Sequence, residues 1–107
     1  MIAREAVGRA GERLAADFLR RHGLRVVGRN VTLPEGEIDL LARDGRRRVA
    51  VEVRTITGSS DPLTAFGPDK RRQVARLAQR LAADRVDLVA IRLTPEAAEF
   101  RWVRGAA

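Results

Sequence analysis

The sequence predicts an α/β fold of three layers, α/β/α, with one mixed sheet between helices and the element order α-β-β-β-α-β-β. Three observations lead there. Apolar residues recur at spacings of three and four over residues 4–22 and again over 69–84, the period of a helix buried on one side. Between these segments, two runs of alternating residues flank Asp44-Gly45, a favoured pair for a two-residue hairpin turn. Residues 86–93 are almost continuously apolar, as expected of a strand covered on both faces. A length of 107 residues suits one domain, 1–107.

The first helix, 4–22, carries Val7, Gly11, Leu14 and Phe18 as its apolar stripe and is ended by Gly23. Gly8 and Gly11 each cost about 1 kcal/mol against alanine, which points to a close packing contact on that face. His22, the only histidine, stands where it can complement the helix C-terminus. Residues 25–30 suit a short strand. Pro34, Glu35 and Gly36 then turn the chain into residues 37–43, and 46–56 return from the hairpin. Residues 57–68, rich in glycine, serine and proline, read as an exposed loop of a length that is usually functional. The second helix, 69–84, buries Val74, Leu77, Ala78 and Leu81. A last strand, 99–103, sets Phe100 and Trp102 on one side, as core residues.

Twenty-one basic residues against 14 acidic ones give a formal charge of +7, and all the basic residues but Lys70 are arginines. Guanidinium groups bind phosphate through a bidentate fork, so nucleic acid is the leading partner class. The absence of cysteine excludes a disulfide framework, thiolate zinc sites and a cysteine nucleophile. No apolar run approaches the roughly 18 residues of a membrane span, and the first residues do not resemble a signal-peptide core. A cytoplasmic protein with no membrane partner is expected. With three Phe, one Trp and no Tyr, there is little material for recognising single strands by stacking.

A loop formed by Asp44 and Gly45 would pair Arg43 with Arg46, Leu41 with Arg48, Asp39 with Ala50 and Glu37 with Glu52. Glu37, Asp39, Leu41, Arg48, Ala50, Glu52 and Arg54 then share one face. Ile38, Leu40, Ala42, Val49, Val51 and Val53 form the apolar core face. Neighbouring carboxylates on a sheet repel unless something positive lies between them. A hard divalent cation such as Mg²⁺ is one solution, and pairing with arginine is the other.

Asp39 at the end of Gly36-Glu37-Ile38-Asp39, followed after the hairpin by Val51-Glu52-Val53-Arg54, resembles the acidic motif of the PD-(D/E)xK nuclease superfamily. The chain is more specifically similar to the YraN-like family of small bacterial proteins within it. The likeness includes Gly8, Gly11-Glu12, Ala15, Phe18-Leu19 and His22-Gly23, then Asn30 and Lys70, and Arg85 with Asp87-Leu88-Val89. It implies a restriction-endonuclease-like fold and a metal-dependent nuclease ancestry, with Asp39 and Glu52 as ligands of Mg²⁺ or Mn²⁺. Glu12 resembles the helical acid that some members add to the metal site; an ordinary helix carboxylate is the other reading.

Arg54 departs from the pattern, which has lysine there. Arginine stays protonated, so it can stabilise charge but not assist a water nucleophile. Lys70 stands four and seven residues before Val74 and Leu77, hence on the core-facing side of the second helix, where it could enter the site or pass the core edge. Arg72, Arg76 and Arg80 form a stripe on the opposite face, suited to following phosphates or simply to solvent. Two functions therefore stay open. One is a metal-dependent endonuclease acting on DNA, branched DNA included, with Asp39, Glu52, Arg54 and Lys70 as its catalytic groups. The other is a non-catalytic nucleic-acid-binding module that kept the nuclease fold. DNA is favoured over RNA, and a homodimer would be one way to address two strands.

Overall fold

The computed structural model describes residues 4–107 apart from 60, 62, 63 and 65, and apart from the side chains of Arg4 and Glu5. Its elements are α1 (Arg4–Arg21), β1 (Arg25–Leu33), β2 (Gly36–Asp44), β3 (Arg47–Thr57), α2 (Pro68–Arg80), β4 (Arg85–Leu93) and β5 (Ala98–Val103), in the expected order. The strands form one sheet, β1-β2-β3-β4-β5. Every neighbouring pair is antiparallel except β3 and β4, which run parallel with α2 as their crossover.

A helix covers each face of the sheet. On one side Ala15, Ala16 and Leu19 of α1 meet Leu40, Val51 and Ile91; on the other Val74, Leu77 and Ala78 of α2 meet Ile38, Ala50 and Leu88. Within α1 the fully buried positions are the small ones, Gly11, Ala15 and Ala16, with Leu19, whereas Leu14 and Phe18 lie at the margin. Periodicity weights large apolar residues, but a helix pressed close to a sheet selects small ones. A Cβ at Gly11 would overlap the Thr55 hydroxyl of β3, so this glycine marks the close approach, and Gly8 does not.

Two boundaries differ from expectation. Strand β1 continues to Leu33, and α2 stops at Arg80, four residues early. Its end is closed without glycine: Ala82 takes a left-handed φ of 53° and Ala83 N–H donates to Ala78 O at 2.9 Å. Of the expected loop, residues 60, 62, 63 and 65 lie outside the described residues, and Phe66 is buried in the α2 core rather than exposed.

The β2–β3 turn is Gly45-Arg46 instead of Asp44-Gly45. Gly45 has φ 61° at the first loop position, the Gly-X pattern of a type II′ turn. Asp44 remains on its strand, paired with Arg47, because Arg85 Nη2 holds its carboxylate at 3.1 Å. The register therefore moves by two residues, with Leu41 opposite Ala50 and Arg43 opposite Arg48. An even shift keeps every residue on its face and brings Asp39 level with Glu52.

The faces themselves are less uniform than alternation predicts. Ile38 and Leu40 are two residues apart yet enter different cores, and Ala50, on the carboxylate face, is buried beneath α2. The break lies at Asp39 and at Asn30, which stands between Arg29, opposite Leu40, and Val31, opposite Ile38. Asn30 has a left-handed φ of 48°. Beyond Leu40–Val51 the β2–β3 ladder ends, while β3 stays paired with β4 as far as Thr57. The two strands fork there.

Candidate functional site

The fork is where the acidic residues gather. Asp39 projects across the gap and its Oδ2 accepts the Val53 N–H at 2.8 Å, replacing the lost ladder bond. Glu52, only 3% exposed, lies beside it on β3. Its Oε2 is 2.9 Å from Arg54 Nη2 and 3.8 Å from Lys70 Nζ, so the first turn of α2 delivers Lys70 into the site. Helix α1, seated closely by Gly11, brings Glu12 from the opposite side. These residues line a cleft of about 570 Å³.

Burial pushes the Asp39 carboxyl up to about 7, with the adjacent Glu52 charge adding to the effect and the Val53 N–H and Lys70 opposing it. Glu12 is also raised, first by burial and then by Asp39 and Glu37, against a lowering hydrogen bond from Asn30. Crowded carboxylates of this kind need a proton or a cation between them. One oxygen from each of Glu12, Glu37 and Asp39 lies within 4.8 Å of the others, an all-oxygen donor set that suits a hard divalent ion. The site thus has two halves: Glu52 is matched by two cationic side chains, whereas Glu12, Glu37 and Asp39 form a negative cluster.

The residue 11–91 segment matches the model of the uncharacterised protein family UPF0102. The chain belongs to the UPF0102 family. A UPF0102 protein of Syntrophotalea carbinolica is 39% identical over 113 residues, covering 96% of this chain and 92% of the relative. Another, from Beutenbergia cavernae, is 40% identical over 116 residues and covers 98% of each. Among solved structures, Hjc of Archaeoglobus fulgidus, a Holliday junction resolvase, aligns with a TM-score of 0.56 at 22% identity, over 90% of this chain and 75% of that one. At this identity the likeness is one of fold: the UPF0102 chain has the restriction-endonuclease-like architecture, α/β/α about a mixed five-stranded sheet.

Of the residues singled out in the sequence, Glu12, Asp39, Glu52, Arg54 and Lys70 come together in the cleft. Arg72, Arg76 and Arg80 lie elsewhere, exposed along α2. Arg72 pairs with Asp69 and Arg80 with Glu35, leaving Arg76 without an ion-pair partner among the described residues. His22 Nδ1 donates to Phe18 O at 2.8 Å, as expected at a helix end, and Phe100 stacks on Phe18 with centroids 4.7 Å apart. No described helix is long and apolar enough to cross a membrane.

Glu37, expected on one face with Asp39, joins the acidic cluster with Glu12. Two further features were not legible beforehand. Arg25, Arg43 and Arg48 stand in one cross-strand row, which the two-residue change in hairpin register creates. Asp87, fully buried, accepts from Arg85 Nε at 2.8 Å, Trp102 Nε1 at 3.0 Å and Gly105 N–H at 3.1 Å, pinning the chain's C-terminal end to β4.

Proposed function

We propose that this UPF0102 protein is a divalent-metal-dependent nuclease that hydrolyses phosphodiester bonds in DNA, with branched DNA among its substrates. The observation behind this reading is the half-buried Asp39 carboxyl, raised to about 7 among Glu12, Glu37 and Glu52, the last of which holds Arg54 and Lys70, on a fold shared with a Holliday junction resolvase. Asp39, Glu12 and Glu37, with Glu52 beside them, would hold Mg²⁺ or Mn²⁺. Such an ion, when bound, polarises the phosphate and lowers the pKa of a coordinated water.

The protein's own groups supply the rest. Arg54 stabilises charge on the phosphate oxygens but keeps its proton. Lys70, close to the same Glu52 oxygen, adds a compact charge there and is the one cation of the pair that can exchange a proton. Arg72, Arg76 and Arg80 serve the DNA backbone; the exposed pairs made by Arg72 and Arg80 are weak and exchange readily for phosphate. Arg25 and Arg43, exposed side by side across β1 and β2, offer further phosphate contacts. A pair of such subunits would address both strands of a junction, in the cytoplasm where chromosomal DNA is found.

The test is cleavage of linear and four-way branched DNA with Mg²⁺ or Mn²⁺. Asp39→Asn and Glu52→Gln should each lower the rate at least a hundredfold; activity that survives both substitutions rejects the assignment. A second reading, a binding module without turnover, is favoured by one observation: both cations near the site engage Glu52, and the motif's lysine position holds Arg54. It predicts salt-dependent DNA binding with no metal-dependent cutting.

A further inference from the structure

Asn30 is the one described non-glycine strand residue with a left-handed backbone, and it sits at the place where the sheet changes faces. Arg29 lies opposite Leu40, which enters the α1 core, and Val31 lies opposite Ile38, which enters the α2 core. Asparagine tolerates positive φ better than most side chains, so this position suits a residue that must both bend the strand and carry a polar group. The side chain uses both amide hydrogens. Its Nδ2 donates to Glu12 Oε1 at 3.0 Å and Oε2 at 3.1 Å, and to Glu37 Oε1 at 2.8 Å.

The chemistry of this link differs from that around Glu52. There, arginine and lysine neutralise the carboxylate they hold. An amide is a hydrogen-bond donor without net charge, so it can draw two carboxylates together while leaving their negative charge available. Glu12 is 18 residues away in sequence and is carried on a helix; from the sheet, Asn30 donates to both of its carboxylate oxygens and ties it beside Asp39.

We propose that Asn30 is a positioning residue that assembles the acidic cluster, holding Glu12 from α1 and Glu37 from β2 in place for a divalent cation without cancelling their charge. This rests on the reading of the cluster as a metal centre. Residues that orient metal ligands through a hydrogen bond typically contribute ten- to a hundredfold in affinity, and that is the effect expected here.

Calorimetric titration of the full chain with Mn²⁺, alongside thermal melting, tests it. Asn30→Gly keeps the left-handed backbone and removes only the amide, so it should retain the wild-type melting temperature within a few degrees and weaken Mn²⁺ binding about tenfold or more. Glu12→Gln, which leaves residue 30 untouched, should weaken binding comparably, and the double variant, in which Glu37 also loses its amide, should bind worse than either single one but by clearly less than the product of their losses. Wild-type affinity in Asn30→Gly, or losses that multiply in the double variant, overturn the role of Asn30 while the metal centre stands. If the wild-type protein binds no Mn²⁺, the metal centre itself is rejected and the proposal with it. Should Asn30→Gly melt early, the comparison of Glu12→Gln in the two backgrounds still decides, because only coupling through the amide makes the losses non-additive.

Discussion

Asp39 shows how one side chain couples the folded state to pH. An aspartate in the unfolded chain titrates near 3.8, whereas in the fold it titrates at about 7 because it is largely shielded from water and lies beside Glu52. Between these values the folded protein binds more protons than the unfolded one, so stability falls as pH rises. The contribution is fully present below pH 4 and gone once the pH passes 7. Melting of the metal-free protein should therefore worsen across that interval by about 2–4 kcal/mol. Asp39→Asn, neutral throughout, should flatten the profile and melt higher than wild type at pH 8. Asp87 matters for packing instead: it is a fully buried carboxylate that accepts hydrogen bonds from Arg85, Trp102 and Gly105. Asp87→Ala leaves Arg85 without its main counter-charge and should cost about 3–5 kcal/mol in urea unfolding. Some Mn²⁺ affinity should remain at temperatures where the variant is folded, since Asp87 is not among the cleft residues.

At the scale of elements, helix α1 and the β2–β3 fork make the site together. The helix can approach β3 only because Gly11 lacks a side chain where Thr55 sits. Gly11→Ala should destabilise the fold by about 1–3 kcal/mol through overpacking, and should also weaken Mn²⁺ binding, because Glu12 is the next residue along the lifted helix. The elements were largely legible in the sequence, since hydrophobic period and turn residues are local signals. Their limits were less so. The end of α2 is closed by Ala82 in a left-handed conformation that no glycine announces, and the hairpin turn is displaced because Arg85, 41 residues away, keeps Asp44 on its strand. The carboxylate motif at Asp39 and Glu52 could be read from the chain, whereas its division between a cation-matched half and an uncompensated half could not.

Across the whole molecule, the +7 charge surrounds an acidic cleft, so binding of DNA and binding of metal should respond to different variables. DNA affinity should fall linearly in log salt. Arg76→Gln should reduce that slope by about one, whereas Arg72→Gln, which also releases Asp69, should change it less. Mn²⁺ present at a hundredfold excess over its dissociation constant should raise stability by about 2.7 kcal/mol at pH 8. The same addition to Asp39→Asn should give little stabilisation, so the difference between the two melting curves reports the site without any cleavage assay.

By itself the sequence determined the class of fold, the order of elements, the basic field and the Asp39, Glu52 and Arg54 motif, because periodicity, turn chemistry and net charge are properties of short stretches or of composition. The tertiary structure decided how the acids are shared out. Glu12 and Asn30 meet 18 residues apart, Lys70 reaches Glu52 from another layer, and the sheet changes faces where β2 and β3 part. Those contacts depend on how closely a helix can sit on a sheet and where a ladder ends, and both are set by packing between segments distant along the chain.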